Sequence, residues 1–176
     1  MAGIIKVNQY QDFNGNTLFT SDGSGNLTTL KTNYPMFSAS ISSNFTLTNA
    51  TTMKITGFDT EEFDTNNAFS TSNARFTVPS GHAGKYFLST TVRIGTGAST
   101  TSASNRELYK NGVSIASTGI YIPQSPCEHF TTTTAGIFNL AEGDYIEVYA
   151  RLETTNSSNG NAYSTASNFS GFRIGS

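Results

Sequence analysis

Asn168-Phe169-Ser170-Gly171-Phe172-Arg173-Ile174, Gly84-Lys85-Tyr86-Phe87-Leu88 and Leu140-Ala141-Glu142-Gly143-Asp144-Tyr145-Ile146-Glu147-Val148 are the stretches whose reading decides the fold. In each, apolar and polar residues alternate with period two, the pattern of a half-buried strand. Gly171 permits close approach of a neighbouring backbone or aromatic ring within a strand. Gly143-Asp144 suits a turn that launches the strand beginning at Tyr145. The alternation continues outward from these anchors. Tyr86, Leu88, Thr90, Val92 and Ile94 share one face and Phe87, Ser89, Thr91 and Arg93 the other. Ile146, Val148, Ala150 and Leu152 oppose Tyr145, Glu147, Tyr149 and Arg151, and Met53 and Ile55 alternate with Thr52, Lys54 and Thr56. Several such runs, separated by Gly, Asn and Pro turns, predict an all-β sandwich of two antiparallel sheets with essentially no helix. The polar stretches Gly95 to Asn105 and Thr154 to Thr165 read as loops at the ends of that sandwich.

Composition points to display rather than chemistry. The chain has 176 residues and 18.8 kDa, room for one well-buried core. Charged residues are 12% and the formal net charge is -2, so no field recruits nucleic acid or an acidic membrane surface. Thr, Ser, Asn and Gly stand where Glu and Lys abound in cytosolic enzymes, while 13 Phe and 8 Tyr supply apolar bulk. The single cysteine, Cys127, excludes an intrachain disulfide framework, so stability must come from the core and from subunit contacts. Met1 to Val7 is too short an apolar run for a signal peptide, and no segment reaches membrane-spanning length. The expectation is a soluble chain without membrane insertion. Asn44, Asn49 and Asn156 open glycosylation sequons, which a chain rich in Asn, Thr and Ser produces by chance.

The chain divides near Lys31 to Pro35, giving an arm over 1–33 and a head over 34–176. Within the arm, Asp12 to Thr20 and Gly25 to Leu30 flank Ser21-Asp22-Gly23-Ser24. Asp-Gly and Asn-Gly favour the positive φ of tight turns, so the arm reads as short strands joined by turns. Ordering backbone costs about 1–2 kcal/mol per residue, and a segment with so few apolar residues is fixed only by packing on something larger. Phe13, Leu18, Phe19, Leu27 and Leu30 are the residues it offers for such docking. No heptad, collagen or shaft-like repeat is evident.

The order of the short motifs resembles the heads of the C1q/TNF jelly-roll family. The carriers are Phe37-Ser38-Ala39, Phe63-Asp64, Phe76-Thr77-Val78-Pro79, Gly84-Lys85-Tyr86-Phe87, Lys110-Asn111-Gly112, Leu140-Ala141-Glu142-Gly143-Asp144 and Phe169-Ser170-Gly171-Phe172. Together they cover roughly Phe37 to Ile174. The resemblance implies a C1q/TNF-like jelly roll that works as a homotrimer, with most aromatics in the core and a minority on the subunit contact. Tyr145, Tyr149 and Phe169 are the candidates for that contact. Animal members are usually secreted behind a signal peptide and often a collagen stalk, and neither is found here. Instead Gly15 to Thr28 is similar to segments that precede heads in bacteriophage virion proteins. That likeness implies a virion surface protein made in the host cytoplasm: a capsid decoration or head fibre, its arm docked on a capsid or tail protein. The alternative is a tail-fibre tip or receptor-binding knob recognising a host surface glycan or protein, with Tyr121, Gln124 and Tyr163 as candidate ligand-loop residues.

Enzymatic readings find little support. His82 lies in the Pro79-Ser80-Gly81 turn and His129 in a polar loop. Cys127-Glu128-His129 could offer metal ligands or a thiol beside a base, but adjacent strand residues point in opposite directions and no second ligand pair is present. A three-fold axis could still converge three copies of His129. Asp59, Glu61, Glu62 and Asp64 read as a solvated loop, with calcium ligation as the alternative. Gly95-Thr96-Gly97-Ala98-Ser99 lacks the Lys and helix of a phosphate loop, and no nucleophile elbow or catalytic carboxylate pair is evident. The expectation is a non-enzymatic protein without cofactor.

Overall fold

The turns of the N-terminal stretch use one device twice. In the computed structural model, which describes residues 7, 9–29 and 34–175, Asp12 Oδ1 accepts hydrogen bonds from the backbone N–H groups of Asn14 and Asn16 at 2.9 and 2.8 Å. Asn16 Nδ2 donates to Asp12 Oδ2 at 2.9 Å. Ten residues on, Asp22 Oδ1 accepts from Ser24 N and Asn26 N at 2.7 and 3.1 Å, and Asn26 Nδ2 donates to Asp22 Oδ2 at 2.6 Å. Gly15 (φ 81°) and Gly25 (φ 94°) supply the left-handed residue in each loop. The result is an antiparallel meander of β1 (Gln9–Gln11), β2 (Thr17–Ser21) and β3 (Leu27–Thr29). The two loops share only the Asp-x-x-Gly-Asn turn, each followed by an unlike strand, so the stretch carries no repeat longer than the turn itself. Met1–Asn33 and Tyr34–Ser176 are separate compact units.

The second unit is built from strands alone, with no helix among the described residues. Its first strands are β4 (Met36–Ile41), β5 (Phe45–Leu47), β6 (Met53–Lys54), β7 (Phe58–Asp64), β8 (Phe69–Ser70) and β9 (Arg75–Thr77). The long ones follow: β10 (Gly84–Gly95), β11 (Thr101–Lys110), β12 (Val113–Tyr121), β13 (His129–Leu140) and β14 (Tyr145–Thr154). Short β15 (Gly160–Ala162) and closing β16 (Asn168–Gly175) complete the chain. One sheet runs β5-β15-β10-β16-β4-β7, with β13 also paired to β10; the other runs β12-β11-β14-β9-β8, with β6 on β14. Every described pairing is antiparallel, and the two sheets form the expected sandwich. The β11–β12 hairpin turns at Asn111-Gly112, where both residues have positive φ (51° and 83°), as a tight hairpin requires.

The core is the sum of the inward faces read from the sequence. Tyr86, Leu88, Val92 and Ile94 of β10 meet Ile146, Val148, Ala150 and Leu152 of β14, all buried. Phe37 gathers the aromatic end, stacked on Phe69 and Phe76 at centroid distances of 5.2 and 4.8 Å and edge-on to Phe169 at 4.8 Å. Burying one such side chain stabilises the fold by roughly 1.5–3 kcal/mol. Gly171 is where close approach demands a missing side chain: a Cβ there would lie 2.5 Å from Leu88 Cδ2 and 3.0 Å from the Phe87 carbonyl oxygen.

Of the two stretches expected to be loops, Gly95 to Asn105 is about half strand, whereas Thr154 to Thr165 stays mostly loop around one short strand. β11 begins at Thr101, and β14 runs on to Thr154 with β15 following at Gly160. The buried start of β11, and Thr134 facing it from β13, are small hydroxyl residues whose bonds are made inside the protein. Thr101 Oγ1 donates to Glu128 O, Ser102 Oγ to Glu153 O and Thr134 Oγ1 to Arg106 O, at 3.1–3.2 Å. Satisfied hydroxyls can be buried at little cost, so polar composition here does not mean loop.

At the centre of this polar layer lies Arg106, with no exposed surface. Its Nε donates to Val92 O at 3.0 Å, Nη2 to Phe130 O at 2.8 Å, and Nη1 bonds Ser104 Oγ. Among the described residues it has no carboxylate partner. Burial pushes its pKa down to about 10, so it remains cationic at neutral pH. One guanidinium therefore ties β11 to both β10 and β13 across the sandwich.

Candidate functional site

The outward face of the seven-stranded sheet is apolar at one end. Phe87 on β10 sits opposite Phe172 on β16 and opposite Ile137 on β13. The Phe87 and Phe172 rings lie 5.4 Å apart. Ile137 is 63% exposed, Phe172 and Ile174 48%, and Phe63 on β7 49%. Tyr34, Met36, Phe63, Phe87, Phe172 and Arg173 line a concavity of about 350 Å³ on this face. Alternation explains the face: it is the half of β4, β10, β13 and β16 that the core does not use. Toward the other end it becomes polar, with Thr91 and Thr133 hydroxyls 2.7 Å apart across β10 and β13. Contiguous exposed aromatics on a folded domain mark a surface that binds something.

The edges of the two sheets differ. β7, an edge strand, carries Asp59, Glu61, Glu62 and Asp64, charges that deter strand addition. These acids, expected in a loop, have structural tasks. Asp59 accepts from Ser42 N and Oγ at 2.9 and 2.6 Å, and Asp64 from Ala68 N and Phe69 N at 3.0 and 2.9 Å. The bonds from Ser42 outweigh desolvation and hold Asp59 below the usual carboxylate range. No group of three or more His, Cys, Asp or Glu among the described residues could hold a metal ion. By contrast β12, the edge of the other sheet, has no charged residue from Val113 to Tyr121, and both of those ends are strongly exposed.

The three residues expected at a subunit contact separate. Phe169 has no exposed surface and packs on Phe37, Phe58 and Phe69, so it belongs to the core and cannot line a contact. The inward face of β16 is set by Phe169 and Gly171, which leaves Phe172 and Ile174 outside. Tyr145 and Tyr149 do point outward, but from the six-stranded sheet, where each is already engaged. Tyr149 stacks on Tyr109 at 4.0 Å, and the Arg75 guanidinium lies 3.9 Å over Tyr145. Both surround Glu147, whose carboxylate pairs with Lys54 and Arg75 at 2.6 Å each. Desolvation raises the Glu147 pKa, but the bonds and charges of Lys54 and Arg75 outweigh it and hold the group below the ordinary glutamate value.

Of the ligand-loop candidates, Tyr121 ends β12 and is 71% exposed beside a groove of about 210 Å³ shared with Asn105, Arg151 and Glu153. Gln124 is exposed in the turn that follows. Tyr163 is half-buried, with its ring near Arg93 and His129. His129 is not in a loop: it opens β13 opposite Gly95. Cys127 is a free, half-buried thiol whose Sγ lies 3.2 Å from His129 O, and His82 sits in its expected turn. In the arm, Phe13 is fully exposed, Leu18 is 53% exposed, and Phe19 stacks on Tyr10 at 4.3 Å. Leu27 opens β3, and Leu30 lies outside the described residues.

Comparison with known proteins agrees with this architecture. Among solved structures, the globular domain of zebrafish complement 1qA protein superposes with a TM-score of 0.57 at 16% identity, over 80% of this chain and 98% of that one. Murine APRIL at pH 5.0 gives 0.58 at 12% identity, over 80% and 99%. No curated protein sequence matches the chain. The family model of the C1q domain matches residues 36–174, close to the span marked by the sequence motifs. The chain therefore belongs to the C1q domain family, with that domain filling the sandwich and the arm preceding it.

Proposed function

We propose that this protein is a non-enzymatic, homotrimeric surface protein of a bacteriophage virion, a capsid decoration or head fibre that docks through its arm and displays the sandwich outward. The observation that carries the trimer is the pair of unlike exposed surfaces on one domain. A closed three-fold ring is heterologous, joining two different patches of each copy. The apolar face around Phe87, Phe172, Ile137 and Phe63 is one patch, and the uncharged edge formed by β12 is the other. The fold family, whose members are often trimeric, favours the same arrangement. Docking by the arm is supported by its separation as a compact unit and by the exposure of Phe13 and Leu18. Three arms on one trimer would add avidity to a weak individual contact.

The groove beside Tyr121 favours a second reading, a tail-fibre tip or knob that binds a host glycan or protein. One experiment separates the two. Labelled wild-type protein and the Phe13→Ser/Leu18→Ser variant are incubated with stripped capsids and, separately, with host cells. Decoration requires capsid binding that falls in the variant, without cell binding. Cell binding that is indifferent to the arm substitutions assigns a receptor-binding knob. Sedimentation at micromolar concentration tests the trimer itself.

A further inference from the structure

We propose that Arg93, His129 and Tyr163 form a binding site for a single oxyanion group, a carboxylate, phosphate or sulfate, at the polar end of the seven-stranded sheet. The corner collects hydrogen-bond donors without an acid to receive them. Arg93 Nη2 lies 2.6 Å from His129 Nε2 and 3.2 Å from Nδ1. In either neutral tautomer one ring nitrogen carries hydrogen, so Nη2 finds at most one acceptor there and meets an N–H at the other. Among the described residues Nη1 has only a long 3.5 Å contact with Thr165 Oγ1, and Nε has no hydrogen-bond partner. Among the described residues Arg93 makes no ion pair. A guanidinium presents a planar fork suited to two oxygens of one anion, and here that fork is spent on one imidazole and one distant hydroxyl.

The corner is also held in place. Gly95 allows His129 to close in, since a Cβ at Gly95 would lie 2.5 Å from His129 Cβ. Arg93 O accepts from Tyr163 N at 2.8 Å, and Arg93 N donates to Ser167 Oγ at 3.2 Å, so the β15–β16 connection is clamped beside the guanidinium. The Tyr163 ring stands 5.2 Å from the Arg93 guanidinium carbon and 6.2 Å from the imidazole, a flat wall on the ligand's flank. Arg93, His129 and Tyr163 are each half-buried, so an anion arriving from solvent reaches the fork by rotation of Arg93, which exchanges the long Thr165 contact and the single Nη2 bond to His129 for two charge-assisted bonds to one anion.

The protein has two histidines, which makes the test direct. His82 precedes β10 and His129 pairs with its last residue, so His82 serves as a reference roughly 35 Å away at about 3.3 Å per strand residue. The imidazole resonances of the full chain are followed by NMR while sodium phosphate, sulfate or D-glucuronate replaces chloride at constant ionic strength. The expected result is a saturable shift of His129 with His82 unmoved, weakened at least about tenfold in Arg93→Gln and less in Arg93→Lys, which keeps the charge and loses the fork. Tighter binding of glucuronate identifies a sugar acid as the ligand class, and tighter binding of phosphate or sulfate an esterified one. The inference is overturned if His129 moves no more than in chloride, if both histidines shift together without saturation, or if Arg93→Gln binds as wild type while its near-UV circular dichroism is unchanged.

Discussion

Replacing Arg106 with Met removes a charge that has no acid partner among the described residues, and the sign of its effect tests how the two sheets are joined. Met fills most of the volume and relieves the desolvation that lowers the guanidinium pKa to about 10, a change that on its own favours folding. Against this stand Val92 O, Phe130 O and Ser104 Oγ, which lose their donor inside a region closed to water. Each buried acceptor left without a bond costs about 1–3 kcal/mol. With two carbonyls and a hydroxyl affected, and part of the loss recovered from the relieved charge, a net destabilisation of about 2–5 kcal/mol is expected. At 2–4 °C per kcal/mol for a chain of this size, Tm falls by about 4–20 °C. Arg106→Lys should fall in the same range, because one ammonium head cannot span the carbonyls of β10 and β13 together. Urea unfolding and calorimetry at matched protomer concentration measure both, since any assembly makes stability concentration-dependent. Arg106→Met at wild-type stability, or above it, would refute the reasoning and reduce the guanidinium to a tolerated cation.

Three further outcomes follow from the same geometry. Phe172→Asp places a carboxylate between Phe87 and the exposed apolar face and should convert the proposed trimer to monomer in sedimentation without altering the fold, whereas Phe169→Ala should lower stability by about 3–5 kcal/mol as a core cavity does. Glu147 has a folded-state pKa below its unfolded value of 4.5, so its contribution is fully present above that value and lost as pH falls through the folded one. Glu147→Gln should therefore be less stable at neutral pH and show a shallower loss of Tm below about pH 4.5 than wild type. Gly171→Ala should destabilise by about 1–3 kcal/mol through overpacking against Leu88 and the Phe87 backbone, measured by thermal melting; an unchanged Tm would mean that β16 can shift away from β10.

Strand alternation is a binary code, and it is legible wherever the inward residues are apolar. That is why the faces of β10 and β14 and the close approach at Gly171 are legible in the sequence. The code fails where inward residues are polar. Ser102, Ser104, Arg106 and Thr134 look like solvent-facing residues in a sequence, and only partners distant along the chain, such as Val92, Phe130 and Glu153, make them interior. The same non-locality hid the exposed surface. Phe169 and Phe172 are both aromatic and three residues apart, and parity alone assigns them to opposite faces without stating which face is core. The choice is made by Gly171, which can approach Leu88 and Phe37 only from inside and so fixes Phe169 inward and Phe172 outward. Alternation alone puts Tyr145, Glu147 and Tyr149 on one outward face, yet Arg75 and Tyr109 reach them from two other strands, and sequence spacing gives no account of that company. The Arg93–His129 contact is the extreme case: 36 residues separate two basic side chains that pairing of Gly95 with His129 brings together, and neither residue's local sequence hints at the other.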